Sequence, residues 1–211
     1  MKVLVALCFC GLPIALSAQT TLRTFTSEDN VFQFKYSPVL VHCALQRPEK
    51  GEGGSWVPAE TCSSRGVVCD DEDSPATTIA CFAYPKNNFR DKPTFSAAAF
   101  FVGEVSAAAT QEACLEGSQN WLIQAAQNTR INSVDFKHFR ISNAWTSHSQ
   151  TGDMYRVFHN KKCYELGIQE VKTSAGAYDP GTIKEFTKRD EAEVRARLKQ
   201  ALNSFTFSTL E

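Results

Sequence analysis

The sequence is short of most features that announce a chemistry. It has no P-loop and no dinucleotide fingerprint, so no phosphate cradle is written into it. It has no H-E-x-x-H, no H-x-x-x-H and no C-x-x-C, which removes the common zinc spacings. Gly53-Gly-Ser55-Trp-Val lacks the closing glycine of a nucleophile elbow and reads as a turn. No N-x-[ST] sequon occurs. Charge of one sign is missing too: 22 basic residues against 23 acidic leave a net charge of −1. That balance offers no basic field for nucleic acid or an anionic membrane. Cofactors and metals are therefore not expected, and no residue is singled out as catalytic.

Long hydrophobic runs are also scarce. The longest is Val3 to Leu16, broken by Gly11 and Pro13. It is shorter than the roughly 20 apolar residues a bilayer span needs. Lys2 precedes it and Ser17-Ala18 follow, before polar Gln19-Thr20-Thr21. A basic start, an apolar centre and small residues at the end make residues 1–18 a signal peptide, with cleavage expected after Ala18. Cys8 and Cys10 raise a lipid-anchor alternative, but bulky Leu7 and Phe9 precede them where a lipid-acceptor cysteine follows a small residue. The expectation is a secreted or periplasmic protein whose mature chain, residues 19–211, is a single domain with no transmembrane segment. With 43% hydrophobic and 21% charged residues, the full sequence has the composition of a globular protein.

Six cysteines remain after cleavage: Cys43, Cys62, Cys69, Cys81, Cys114 and Cys163. An even number in an exported chain predicts disulfides. Spacing alone leaves the connectivity open. Cys62 and Cys69 make the easiest local pair, Cys43 and Cys81 bracket them, and Cys114 and Cys163 would join a helix to a late strand. Residues 46–78 hold five glycines and prolines before Cys62, then Gly66, Pro75 and the acidic run Asp70 to Asp73. This is loop chemistry. A structureless loop of that length is unusual inside a compact domain unless something tethers it, and the cysteines supply the tether. Trp56 in this loop is a candidate partner anchor. Asp71 and Asp73 have alternating carboxylate spacing without a calcium loop's glycine, so they are candidates for a binding patch only.

Periodicity supplies the rest. Phe32, Phe34 and Tyr36 alternate with Gln33 and Lys35, the signature of a half-buried strand. Thr78 to Tyr84 reads as a strand. Phe95 to Val102 is apolar on both faces, as a covered central strand would be. Thr110 with Glu112 predicts a helix start, with Cys114, Trp121, Leu122 and Ala125 at helical spacing. Val134 to Ser142, Met154 to His159 and Cys163 to Val171 predict a three-stranded meander, with turns at Gln150-Thr-Gly-Asp153 and Asn160-Lys-Lys162. That register would set His148 and Asp153 facing each other across the first turn, with His159 further along the same face. These three are candidate binding residues, and a cross-strand polar pair is the simpler reading. A last helix runs from Lys188 to Asn203. Thr187 and Asp190 form a capping-box pair, and Val194, Leu198, Ala201, Leu202 and Phe205 form one apolar stripe.

The expected fold is α+β: an antiparallel meander sheet covered by helices, α/β/α sandwich-like, with a disulfide-tethered loop insertion. Phe32-x-Phe-x-Tyr-Ser-Pro38, Gly152-Asp-Met-Tyr-Arg156, Cys163-Tyr-Glu-Leu166 and Ser204-Phe-Thr-Phe207 closing the last helix resemble the PsbP/DcrB-like group. The resemblance implies an extracytoplasmic accessory protein without catalysis. It transfers no functional residue, and the six cysteines depart from the group's pattern. The functional expectation is a non-enzymatic binding or accessory protein for an unknown protein or envelope component, with no nucleic-acid partner. The alternatives are a secreted hydrolase whose site is assembled only in space, or a secreted inhibitor or effector that uses the Cys-rich loop.

Overall fold

A computed structural model describes residues 21–43, 69, 76–116 and 126–208. The expected signal peptide, most of the 46–78 loop with Trp56, Cys62, Asp71 and Asp73, and the helix residues beyond Glu116 with Trp121 lie outside the described residues.

In chain order the strands are β1 (Arg23–Thr26), β2 (Phe32–Tyr36), β3 (Val41–His42), β4 (Thr77–Ala83) and β5 (Phe95–Glu104). Helix α1 (Gln111–Glu116) follows, then β6 (Gln127–Ile131), β7 (Val134–Trp145), β8 (His148–His159) and β9 (Lys162–Thr173). Helix α2 (Lys188–Ser204) and β10 (Thr206–Phe207) end the described chain. The class is α+β as expected. Seven strands form an antiparallel sheet in the order β3-β4-β5-β9-β8-β7-β6, and β1-β2-β10 form a small second sheet.

The large sheet is covered on both faces. Helix α2 and the small sheet lie on one. Val194, Leu198, Ala201 and Leu202 of α2 join Phe32 and Phe34 of β2 over Phe82, Phe100, Leu166 and Ile168. Burying these side chains supplies the main driving force, at about 1.5–3 kcal/mol each. The other face buries Cys81, Ala99, Phe101, Phe139, Ile141 and Met154. Helix α1 packs there, tied by the Cys114–Cys163 disulfide. The covalent tie to β9 holds the described part of α1 against the sheet. The central strand β5 is buried along nearly its whole length, as its two-faced apolar pattern requires.

Local chemistry accounts for the ends of these elements. The Thr187 hydroxyl accepts from Asp190 N–H while Asp190 accepts from Thr187 N–H at 2.8 Å, a complete capping box on α2. Asn160 and Lys161 both have positive φ, 48° and 63°, which is the two-residue turn that matches strand twist between β8 and β9.

One expected turn is wrong. Gln150 to Asp153 lie inside β8, and the chain reverses instead at Thr146-Ser147, where Ser147 has φ 60°. Gly152 is not a turn residue. A Cβ there would sit 2.7 Å from the Ile168 carbonyl oxygen and 3.1 Å from Ile141 Cγ1. The glycine is required by close approach of neighbouring strands. Strands β1, β3, β6 and β10 were not expected; they are short, and β6, Gln-Asn-Thr-Arg-Ile, is a largely polar edge strand.

Candidate functional site

The densest polar cluster lies between α2 and the sheet. Asp153 of β8 accepts from His138 Nε2 at 2.9 Å and from an Arg195 terminal nitrogen at 3.3 Å, with Arg140 Nε at 3.9 Å. The Arg195 Nε donates to Glu170 Oε2, and Glu191 Oε1 lies 3.6 Å from the same nitrogen. Lys172 donates to Glu191 at 2.9 Å. Strand alternation puts His138, Arg140, Asp153, Glu170 and Lys172 on the α2 side, and one turn of α2 brings Glu191 and Arg195 over them.

The inner end of this cluster is fully buried. The Glu170 side chain has no exposed surface, and its Oε1 accepts no hydrogen bond from the described residues. Burial pushes the Glu170 carboxyl above its ordinary value, against the opposing pull of Arg195. Tyr155 stacks on His138 with ring centroids 4.7 Å apart. Burial, with the Asp153 charge beside it, pushes the Tyr155 hydroxyl up to about 12. Each carboxylate here is engaged by a cation, so the arrangement clamps α2 to the sheet. The opposite face holds a second buried pair, Arg156 Nε to Glu165 Oε2 at 2.6 Å.

The histidine arrangement expected from sequence is corrected. His148 and Asp153 do not face each other. With the turn at Thr146-Ser147 they share one strand five positions apart, and an odd separation points them to opposite faces. His148 stacks on Trp145 at the hairpin tip and bonds the Thr146 carbonyl through Nδ1 at 2.8 Å. His159 is on the Asp153 face but roughly 20 Å along the strand, stacked on Phe207 at 3.8 Å. Burial lowers His159 below its ordinary value. The Asp153 partner is instead His138, which the wrong turn had hidden.

A second locus is built from cysteines. Cys69 bonds to Cys81 with a Cα–Cα distance of 5.7 Å. This excludes Cys62–Cys69 and Cys43–Cys81, two of the pairings that spacing had left open. Thr78 Oγ1 donates to the Cys69 carbonyl and lays Cys69 beside β4, within reach of Cys81. The Cys114–Cys163 bond has its Cα atoms 5.5 Å apart. Cys43 is also disulfide-bonded. The Sγ atoms of Cys43, Cys69 and Cys81 lie within 4.8 Å of one another, a spacing one metal ion could bridge. Oxidised sulfurs have no thiolate to give it.

A shallow cleft of about 490 Å³ between α1 and the β6–β7 hairpin is lined by Gln111, Leu115, Asn128, Arg130, Asp135 and Lys137, among others. Arg130 and Asp135 neutralise each other there through two 2.7 Å contacts. Among the described residues no helix is long and apolar enough to cross a membrane.

The fold defined by these elements is a helix-covered antiparallel sheet with a small second sheet across one face. It is similar to the solution structure of cyanobacterial PsbP from Synechocystis sp. PCC 6803: TM-score 0.38, 10% identity, 97% of this chain and 99% of that one. It is also similar to the Ran-binding protein Mog1p of Saccharomyces cerevisiae: TM-score 0.39, 12% identity, 89% of this chain and 95% of that one. Likeness of this degree assigns neither partner nor activity. No protein-family model matches the sequence, and no curated protein does.

Proposed function

We propose that this is an exported binding or accessory protein that performs no chemistry of its own. Residues 1–18 direct export, and the connection between Cys43 and Cys81 meets a protein or envelope component outside the cytoplasm. The observation that carries the reading is the oxidation state: Cys43, Cys69, Cys81, Cys114 and Cys163 are all in disulfides. Such bonds form and persist in oxidising compartments. The geometry of β3 and β4 supports the role of the connection. Its two ends leave one sheet edge side by side, with Cys43 N–H donating to the Cys81 carbonyl at 2.9 Å. A long segment held at its base on a rigid sheet is a frequent carrier of recognition.

The test is expression of the full chain in a secreting host. The expected product begins at Gln19, is found outside the cytoplasm and has no free thiol among its six cysteines. A cytoplasmic product with an intact N-terminus and reduced cysteines overturns the proposal. Once a partner is isolated, deleting Glu49 to Trp56 should abolish its capture. Undiminished capture would move recognition away from the connection.

A further inference from the structure

Cys81 has two geometrically competent partners. One is Cys69, to which it is bonded. The other is Cys43. The β3–β4 register pairs Val41 with Ala83 and His42 with Phe82. One step further sets Cys43 directly opposite Cys81, and the 2.9 Å hydrogen bond from Cys43 N–H to the Cys81 carbonyl fixes that alignment. Hydrogen-bonded antiparallel partners have Cα atoms about 5.5 Å apart, inside the range of roughly 4.4–6.8 Å that a disulfide accepts. The three sulfurs are already within 4.8 Å of one another.

Burial sets the order of attack. Cys81 is 0% exposed and Cys43 3%, while Cys69 is half-buried. An external thiolate therefore reaches Cys69 first. We propose that this locus is a disulfide-exchange switch, in which a dithiol reductant that opens Cys69–Cys81 causes Cys81 to change partner to Cys43.

The steps balance. One thiolate of the dithiol attacks Cys69 Sγ, the Cys69–Cys81 bond breaks, and Cys81 leaves as a thiolate. The second thiol of the reductant closes on the first and frees Cys69 as a thiol. The Cys81 thiolate, held against the Cys43 sulfur, attacks it; Cys43–Cys81 forms and the former partner of Cys43 leaves as a thiolate and takes a proton. One dithiol is oxidised to a cyclic disulfide, and two disulfides of the protein become one disulfide and two thiols. The exchange keeps the base of the connection closed across β3 and β4 while it releases the Cys69 anchor. It depends on the cysteines alone, so it stands or falls separately from what the connection binds.

The experiment treats the oxidised mature chain with limiting dithiothreitol, quenches in acid, alkylates and maps the peptides. The expected product carries a Cys43–Cys81 cross-link and two alkylated cysteines, Cys69 and the former partner of Cys43. In Cys43→Ser, Cys81 should be alkylated together with Cys69. Trapping of Cys81 by Cys43 should exceed its alkylation by at least about tenfold in the unsubstituted chain, because the attack is intramolecular. If Cys43→Ser fails to fold, Cys69→Ser is the second arm, and it should form Cys43–Cys81 on oxidation. Joint alkylation of Cys69 and Cys81 with the Cys43 bond untouched overturns the proposal, as does Cys69→Ser without a Cys43–Cys81 link.

Discussion

Replacing Arg195 by Met tests the clamp between α2 and the sheet. Methionine keeps the apolar stem and removes the guanidinium. Glu170 then loses the donor on Oε2 while its Oε1 has none among the described residues, and its side chain has no exposed surface. Removing one partner of a buried pair costs about 3–5 kcal/mol. Arg195 is itself 23% exposed, so water can follow the lost head group inward. The expected loss is about 2–3 kcal/mol near pH 7.5. The pH dependence is diagnostic. Burial already raises Glu170 above its ordinary 4.5, and loss of Arg195 raises it further. An acid with a raised folded value contributes stability that is fully present below its unfolded value and is lost as pH rises through the folded one. The deficit of Arg195→Met should therefore shrink on acidification towards about pH 5, and adding Glu170→Gln should remove most of it at about pH 7.5. Urea unfolding of the oxidised protein at these pH values reads both. A deficit independent of pH, or below about 0.5 kcal/mol, refutes the claim that a buried carboxylate depends on this arginine.

Two further outcomes follow from other sites. Lys92, with help from the Thr187 backbone and hydroxyl, holds Asp190 at about 2, below its ordinary 3.8. A depressed acid stabilises above its unfolded value and loses that contribution as pH falls through the folded one. Asp190→Asn should then cost about 1 kcal/mol at neutral pH, with the difference closing as pH falls through about 2 in acid-unfolding curves. Gly152→Ala should cost about 2 kcal/mol or more by urea denaturation, because its Cβ meets the fixed Ile168 carbonyl rather than a movable side-chain tip; a cost within about 0.5 kcal/mol would contradict this.

The parts of the fold that were legible are those where one periodicity dominates. Phe32 and Phe34 alternate into the core, α2 carries both its cap and its stripe, and β5 is apolar on both faces. The β7–β8 hairpin was misread because Gly152-Asp153 has the composition of a turn, while the real turn, Thr146-Ser147, has no glycine. Gly152 answers to a strand that is distant in sequence. That single error hid the His138–Asp153 pair, since a cross-strand contact is only as visible as the register. Glu170 shares its strand with Glu165, Gln169 and Lys172, and Arg195 is one of several α2 cations; nothing local says that they meet. The Cys69–Cys81 bond was illegible for the same reason. Short spacing favoured Cys62 for Cys69, whereas the bond follows the placement of Cys69 beside β4.

The two ends of the described chain are stitched to one another. Strand β2 lies between β1 and β10, Ser204 Oγ both accepts from Lys35 N–H at 2.7 Å and donates to its carbonyl at 2.8 Å, and Ser208 N–H reaches the Val31 carbonyl. A chain delivered amino end first can pack Phe34 on Phe82 and Phe100, but Phe32 lacks Phe205 and β2 lacks its β10 neighbour until residues 194–207 arrive. The aromatic strand made earliest is thus sealed last, and the interval between those events is when the newborn molecule is most exposed to aggregation and most in need of a chaperone.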